Sequence, residues 1–441
     1  MNAALIFNIG HPTTVQTSLV ALASFARFDP TGRYVATGRI DGSAAIWDLE
    51  TRSAIRILDG HVKAVSSLDW SRHSRFVLTT SKDWNVVVWD LADTCIPAQR
   101  YCTIRFDAPV VSASFHPRNS RIILALLATG EAFVVDRRKA HFSRIELIDE
   151  SESVRSGFTI ARFEPSGKHI FLGTGSSQIS VFNTRTKTLV ARFKITGAGA
   201  IKGIEFMKNG RSLVSNSADR TLRQFALPQF PAPAPDMQVI EQELEPTYRF
   251  NDPISKTAWH AMSFSPDGEW LAGDACLHVA TGAADTANHK IYIWDLSNAG
   301  QFASTLDGGR EPLMHLHWHP SKSSIASTTN QGNILIWHRP HPERWGAFAG
   351  GFEELDENVE YEEREDEFDI EDEADMIRRK MKEEEEEVDV DTVPAPLAKA
   401  RDAPIHGVVL DDEDLEWADE EPDDDQEEWT LQPVMEDEWE S

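Results

Sequence analysis

One pattern recurs seven times along this chain: an apolar strand, a turn of the Pro-x-Gly kind, a second strand, a tight turn, and a third strand closing in Trp-Asp or a degenerate form of it. The first copy, FARFDPTGRYVATGRIDGSAAIWD, ends at Asp48, and the closing aromatic or Val positions are 47, 89, 135, 182, 225, 294 and 337. The steps between them are 42, 46, 47, 43, 69 and 43 residues. All but one sit at or just beyond the spacing of a four-stranded blade, about 40–45 residues. Each unit must bury two faces against neighbours, so the stack closes into a ring. The pattern predicts an all-β fold, a seven-bladed β-propeller over residues 1–340, followed by a long acidic, largely disordered tail.

The second repeat carries Gly60-His61, Asp83 and Trp89, a set that resembles the WD-repeat propellers, in which these side chains are hydrogen-bonded within one blade. Other repeats keep fragments, Asp41 with Trp47 and Asp219 with Phe225. The seventh repeat runs into the tail instead of a fourth strand, so the apolar segment from Leu5 to Asn8 is expected to complete the last blade. The 69-residue step marks two insertions, both read as surface loops. Pro228 to Asn251 is Pro-rich, an ordered excursion or linker, and Ala275 to Asn288 is a lengthened hairpin loop within blade six.

Charge divides the chain sharply. The tail from Phe352 to Ser441 holds 40 Asp and Glu against 7 Lys and Arg, while the remainder holds 36 basic and 32 acidic residues. The formal net charge of −29 is therefore a property of the tail. Cys95, Cys102 and Cys276 are too few and scattered for a disulfide framework or a four-ligand zinc site, which suits reduced thiols in an intracellular protein. No apolar run approaches membrane-spanning length and no secretory signal opens the sequence, so a soluble protein of cytosol or nucleus is expected.

Few residues invite chemistry. His315, His317 and His319 alternate along LMHLHWHP and share one face of a strand, a spacing open to a metal. The same alternation suits the first strand of a blade packed between sheets, ending in a His-Pro turn like that of Phe115-His116-Pro117, and no acid or Cys ligand accompanies the trio. Packing is the reading adopted. Gly173 to Gly175 reads as a turn, not a phosphate loop, and no nucleophile elbow is present, so no catalytic residue, metal or cofactor is expected. Arg220, Lys256 and Arg310 sit in blade turns where they can meet phosphates or remain solvated.

The tail cannot bury enough surface to fold alone. Its apolar residues are nevertheless placed as separated anchors: Trp345, Phe348, Phe352, Leu355, Val359, Tyr361, Phe368 and Ile370, with Val388 and Val390 further on. That is the pattern of a segment lying along a partner's grooves while its carboxylates meet Lys and Arg. Trp417, Trp429 and Trp439, also set in acid, either dock elsewhere or fold back on the body.

The propeller together with the run from Trp345 to Glu373 and Glu-Glu-Val-Asp-Val at 386–390 resembles the retinoblastoma-binding protein 5 family and its fungal counterparts in COMPASS. The resemblance implies a non-catalytic scaffold subunit of a nuclear SET-domain methyltransferase complex acting on the fourth-residue lysine of histone H3. It divides the rest of the chain into an activation and docking segment, 341–373, and an acidic tail, 374–441, with a linear motif at 386–390. Trp345, Phe348, Phe352, Leu355 and Asp356 fall in the stretch that packs on the SET-domain catalytic subunit. Glu360, Tyr361, Glu362, Glu363, Arg364, Glu365, Glu367, Phe368, Asp369 and Ile370 fall in the motif that docks on the SPRY-domain (Ash2-like) subunit, with Phe368 as its anchor. Glu387, Val388, Asp389 and Val390 match the segment held by a second WD-repeat propeller. Arg220 and Arg310 match arginines that touch nucleosomal DNA, and Lys256 stands where a third is expected. The alternatives are an acidic-tail histone chaperone or a general WD-repeat interaction scaffold.

Overall fold

The computed structural model describes residues 10–138, 143–149, 157–228, 230, 239–251, 258–276, 290–307 and 313–340. Within them seven sheets form the seven blades, and no helix is present among the described residues. Blade two shows the plan: Val65–Trp70, Phe76–Ser81, Asn85–Asp90 and Arg100–Arg105, each antiparallel to the next. The third strand, NVVVWD, is buried from Val86 to Trp89 because both of its faces meet neighbouring blades. A strand enclosed on two sides reads as a continuous apolar run instead of an alternation.

The first strand of every blade ends on an aromatic residue, Phe28, Trp70, Phe115, Phe163, Phe206, Phe264 or Trp318. Near its start the same strand carries a β-bulge in all seven blades, with Ser24, Ser66, Val111, Thr159, Lys202, His260 and Met314 as the extra residue. A bulge turns the backbone locally and frees groups from the ladder. Here they bind across to the adjacent blade. Ser66 Oγ donates to the Val110 carbonyl at 2.7 Å, Thr159 Oγ1 donates to that of Ile201, and the Ser24 carbonyl accepts from Thr328 Oγ1 at 3.2 Å.

The seventh blade draws its outer strand from the start of the chain. Thr14–Val20 pairs antiparallel with Asn333–His338, from Thr14 opposite His338 to Val20 opposite Asn333. The expected closing segment, Leu5 to Asn8, lies outside the described residues, and the pairing strand is the more polar TVQTSLV. An outer strand needs backbone pairing and little else: of its side chains only Leu19 is buried, against Ile334 and Ile336.

The long step in the repeat resolves differently from a pair of loops. After the third strand of blade five, Leu222–Ala226, the chain crosses to blade four and adds Ile240–Leu244 as a fifth strand, parallel to Leu189–Ile195. It then returns, and Tyr248–Phe250 becomes the outer strand of blade five. Arg192 anchors the detour, reaching Asp149 of the blade-three side at 2.7 Å and Glu241 of the added strand at 2.6 Å. The Phe230 ring lies tilted against that of His169, with their centroids 4.5 Å apart. The second insertion connects Trp270–Cys276 to Lys290–Asp295, and residues 277–289 lie outside those described. Gly173, expected in a turn, belongs to the strand His169–Thr174, where a Cβ would meet Ile160 and Ile201 at 2.6 and 2.9 Å.

Closure predicts a stability effect at the terminal strand. Leu19→Ala should lower stability by about 2–5 kcal/mol, as for other buried Leu truncations. Thermal denaturation of the full chain reads this, and an unchanged Tm would mean that the terminal strand does not hold the ring.

Candidate functional site

The hydrogen-bonded set of blade two is assembled as the sequence motif requires, with one member that the motif did not name. His61 Nδ1 donates to Asp83 Oδ2 at 3.0 Å, and His61 Nε2 accepts from Thr79 Oγ1 at 2.9 Å. Thr79 Oγ1 in turn accepts from Trp89 Nε1 at 2.9 Å. Burial lowers the His61 pKa more than Asp83 raises it, so the ring is neutral and its two nitrogens have fixed roles. Burial alone would raise the Asp83 pKa, but N–H donors from Asn85 and Val62 and the His61 ring bring it below the ordinary value. Blade seven repeats the last link, Trp337 Nε1 donating to Ser327 Oγ at 2.8 Å. In blade five Arg223 takes the histidine's part, bonding Asp219, Ser217 Oγ and the Gly197 carbonyl. A Thr or Ser two residues before the second strand's end was the available sequence signal. Thr79→Val removes the hydroxyl and strands two buried partners, a loss of about 1–3 kcal/mol. A Tm equal to that of the parent would show the chain of bonds to be dispensable.

The alternating histidines serve the blade junctions. Seven residues occupy the penultimate position of the innermost strands: Arg27, Asp69, Ser114, Arg162, Glu205, Ser263 and His317. Several of them reach the next blade around the ring. Arg27 pairs with Asp69 at 3.1 Å and Arg162 with Glu205 at 3.1 Å. Asp69, Ser263 and His317 accept the N–H groups of Phe115, Trp318 and Phe28 at 2.7, 3.1 and 3.3 Å. His319 lies at the end of the same strand and donates through Nε2 to the Gly32 carbonyl at 3.0 Å, while its Nδ1 accepts from Lys322 N–H at 2.9 Å. His116 does the same at the junction of blades three and four, to the Gly167 carbonyl at 3.0 Å. Both glycines have positive φ, and a Cβ on either would come within 2.4 Å of the histidine ring. Among the described residues no group of His, Cys, Asp or Glu is arranged to hold a metal ion.

Burial, reinforced at His315 by Arg27 and Arg162, holds the His315 and His319 pKa values down to about 4, and that of His317 well below its usual range. In the unfolded chain a histidine titrates near its ordinary 6.5. Between these values the unfolded state binds more protons, so the folded ring loses stability as the pH falls from about 6.5 to 4. His319→Asn should lower Tm at pH 7 and flatten the decline of Tm between pH 6.5 and 5. A slope matching that of the parent would take this histidine out of the acid response.

Of the expected DNA-facing residues, Arg220 is described and Lys256 and Arg310 are not. Arg220 is exposed in the turn between the second and third strands of blade five, at φ 68°, and its carbonyl accepts from Trp259 Nε1 at 3.0 Å. That bond fixes the backbone from which its side chain projects. The tail positions lie outside the described residues: Trp345 to Asp356, Glu360 to Ile370 and Glu387 to Val390.

Seven sheets closed into a ring, with the His61, Asp83, Thr79 and Trp89 set in blade two, make this a WD-repeat propeller. A family profile for the WD domain, G-beta repeat, matches residues 5–48 and 52–90. The chain is 34% identical over 382 residues to the retinoblastoma-binding protein 5 homolog of Drosophila melanogaster, covering 85% of this chain and 73% of that protein. It is 33% identical over 376 residues to the Set1 complex component swd1 of Schizosaccharomyces pombe, covering 82% and 88%. The crystal structure of the Cps50 (Swd1) β-propeller domain of Myceliophteria thermophila matches with a TM-score of 0.64 at 29% identity, over 75% of this chain and all of that one. The chain belongs to the family of Swd1 and the retinoblastoma-binding protein 5 homologues.

Proposed function

We propose that this chain is a non-catalytic scaffold subunit of a COMPASS-type SET-domain methyltransferase complex acting on the fourth-residue lysine of histone H3 in the nucleus. The observation that carries this reading is the reach of the likeness. A match over 85% of the chain is longer than residues 1–340, so it extends past the ring into the acidic segment that begins near Trp345.

On this reading the ring is a mount and the segment 341–373 is the effector. Trp345 to Asp356 pack on the catalytic subunit, Glu360 to Ile370 dock on the SPRY-domain subunit through Phe368, and Val388 and Val390 enter a second propeller. Motifs that are individually weak bind tightly together because one chain holds them at high effective concentration. Ordering a mobile catalytic domain beforehand removes a conformational cost from the productive complex, so turnover rises without any group of this chain touching the reacting atoms. Arg220, Lys256 and Arg310 add contacts to nucleosomal phosphates, which position without reading sequence.

The test is the methyltransferase rate of a reconstituted SET-domain and SPRY-subunit mixture on adding the full chain, a full chain with 345–373 scrambled at constant charge, or the Phe368→Ala chain. The parent should stimulate, the scrambled chain should not, and Phe368→Ala should need several-fold more protein for the same rate. Equal stimulation by parent and scrambled chains would move the effect to bulk acidity, which is the histone-chaperone reading.

A further inference from the structure

The junctions of blades three with four and seven with one are built to the same plan, and they differ in one side chain at the turn after the third strand. In each a histidine meets the carbonyl of a Pro-x-Gly turn at 3.0 Å, His116 with Gly167 and His319 with Gly32. The turn after the third strand also corresponds: Lys187 N–H donates to the Asn183 carbonyl at 2.9 Å and Arg52 N–H to that of Asp48 at 2.8 Å, with φ of 63° and 57°. The side chains then diverge. Lys187 folds inward, its ammonium bonded to the Thr184 carbonyl, and burial pushes its pKa down to about 8. Arg52 stays exposed, and a cavity of about 340 Å³ remains at its junction.

The lining of that cavity specifies its ligand. Phe28, Leu49 and Ile336 give it an apolar floor, while Arg33, Arg52 and Lys322 set three cations around it against the single acid Glu50. Arg33 is engaged with Asp48 at 3.4 Å; among the described residues Arg52 and Lys322 make no ion pair. Gln16 and Thr17, at the bulge of the closing strand, form one wall, so the site exists only where the two ends of the ring meet. An apolar floor with a cationic rim takes a large apolar side chain flanked by carboxylates.

We propose that this cavity receives a tryptophan of the chain's own stretch Leu410–Ser441, in which Trp417, Trp429 and Trp439 are each set among acids. That stretch holds 17 Asp and Glu and no Lys or Arg, which complements the rim. It is tethered to the ring, so even a weak contact is occupied through effective concentration. The proposal does not depend on the methyltransferase reading, and neither the catalytic assay nor the residues tested there enter its test.

The experiment is hydrogen exchange on the full chain, comparing the parent with W417A/W429A/W439A and with R52E/K322E. Both variants should exchange several-fold faster than the parent at amides of 31–33, 49–53 and 321–324, with blade four at 169–174 unchanged as the folding control. Adding a Leu410–Ser441 peptide to the tryptophan variant should restore protection, and a scrambled peptide of equal composition should restore less. Protection at the cavity that is indifferent to the tryptophan substitutions overturns the proposal, as does equal rescue by both peptides, which would leave only charge. Protection lost in R52E/K322E alone also overturns it, assigning the cavity to a different protein's acidic peptide.

Discussion

A ring of seven sheets holds only if its last sheet is finished, and in this chain that depends on the antiparallel pairing of Thr14–Val20 with Asn333–His338. The two partners are more than three hundred residues apart, so the contact closes nearly the whole fold as one loop. Closure entropy grows slowly with loop length, about 0.6 kcal/mol per doubling. The pairing therefore costs little more than a much shorter loop would, and it fixes blade seven beside blade one, covering the two sheet faces that an open stack of blades would leave bare.

What joins the blades elsewhere is a mixture of apolar packing and a polar circuit at the penultimate positions of the innermost strands. Packing between sheets is non-directional and would tolerate some rotation of one blade against the next. Hydrogen bonds such as Asp69 to the Phe115 N–H and His317 to the Phe28 N–H fix the rotation. A bond made inside the ring is also shielded from water, so leaving a partner unmet there is expensive. The histidines suit this task because, held neutral, each offers one donor and one acceptor. His319 uses both at once.

Departures from the repeat fall at places where the ring needs something other than another blade. The detour through Ile240–Leu244 thickens blade four and ties it to blade three through Arg192, and blade five then borrows a three-residue strand to complete itself. The cavity beside Arg52 lies where the closing strand enters. Both depend on side chains that differ among copies of one unit, which is how a repetitive scaffold acquires distinct surfaces around its circumference.

The fold class was legible because period and burial are coupled: every third strand is enclosed on two faces and must be apolar, so all seven closing positions could be found in the sequence and each lies in the third strand of its blade. The tetrad of blade two was legible apart from Thr79, whose hydroxyl matters only because His61 and Trp89 converge on it. The closing strand was misplaced because an outer strand is held by backbone bonds, which carry no signature in side-chain hydrophobicity. The Pro-rich insertion read as loop for the same reason, since the exposed face of Ile240–Leu244 is Glu and Gln. Sequence by itself therefore determined the number of blades, the division of charge between ring and tail, and the spacing of apolar residues within the acidic tail, because each is a property of residue order alone. Tertiary structure decided which strand closes the ring and what the alternating histidines bind, because these depend on which distant backbone groups arrive within hydrogen-bonding distance.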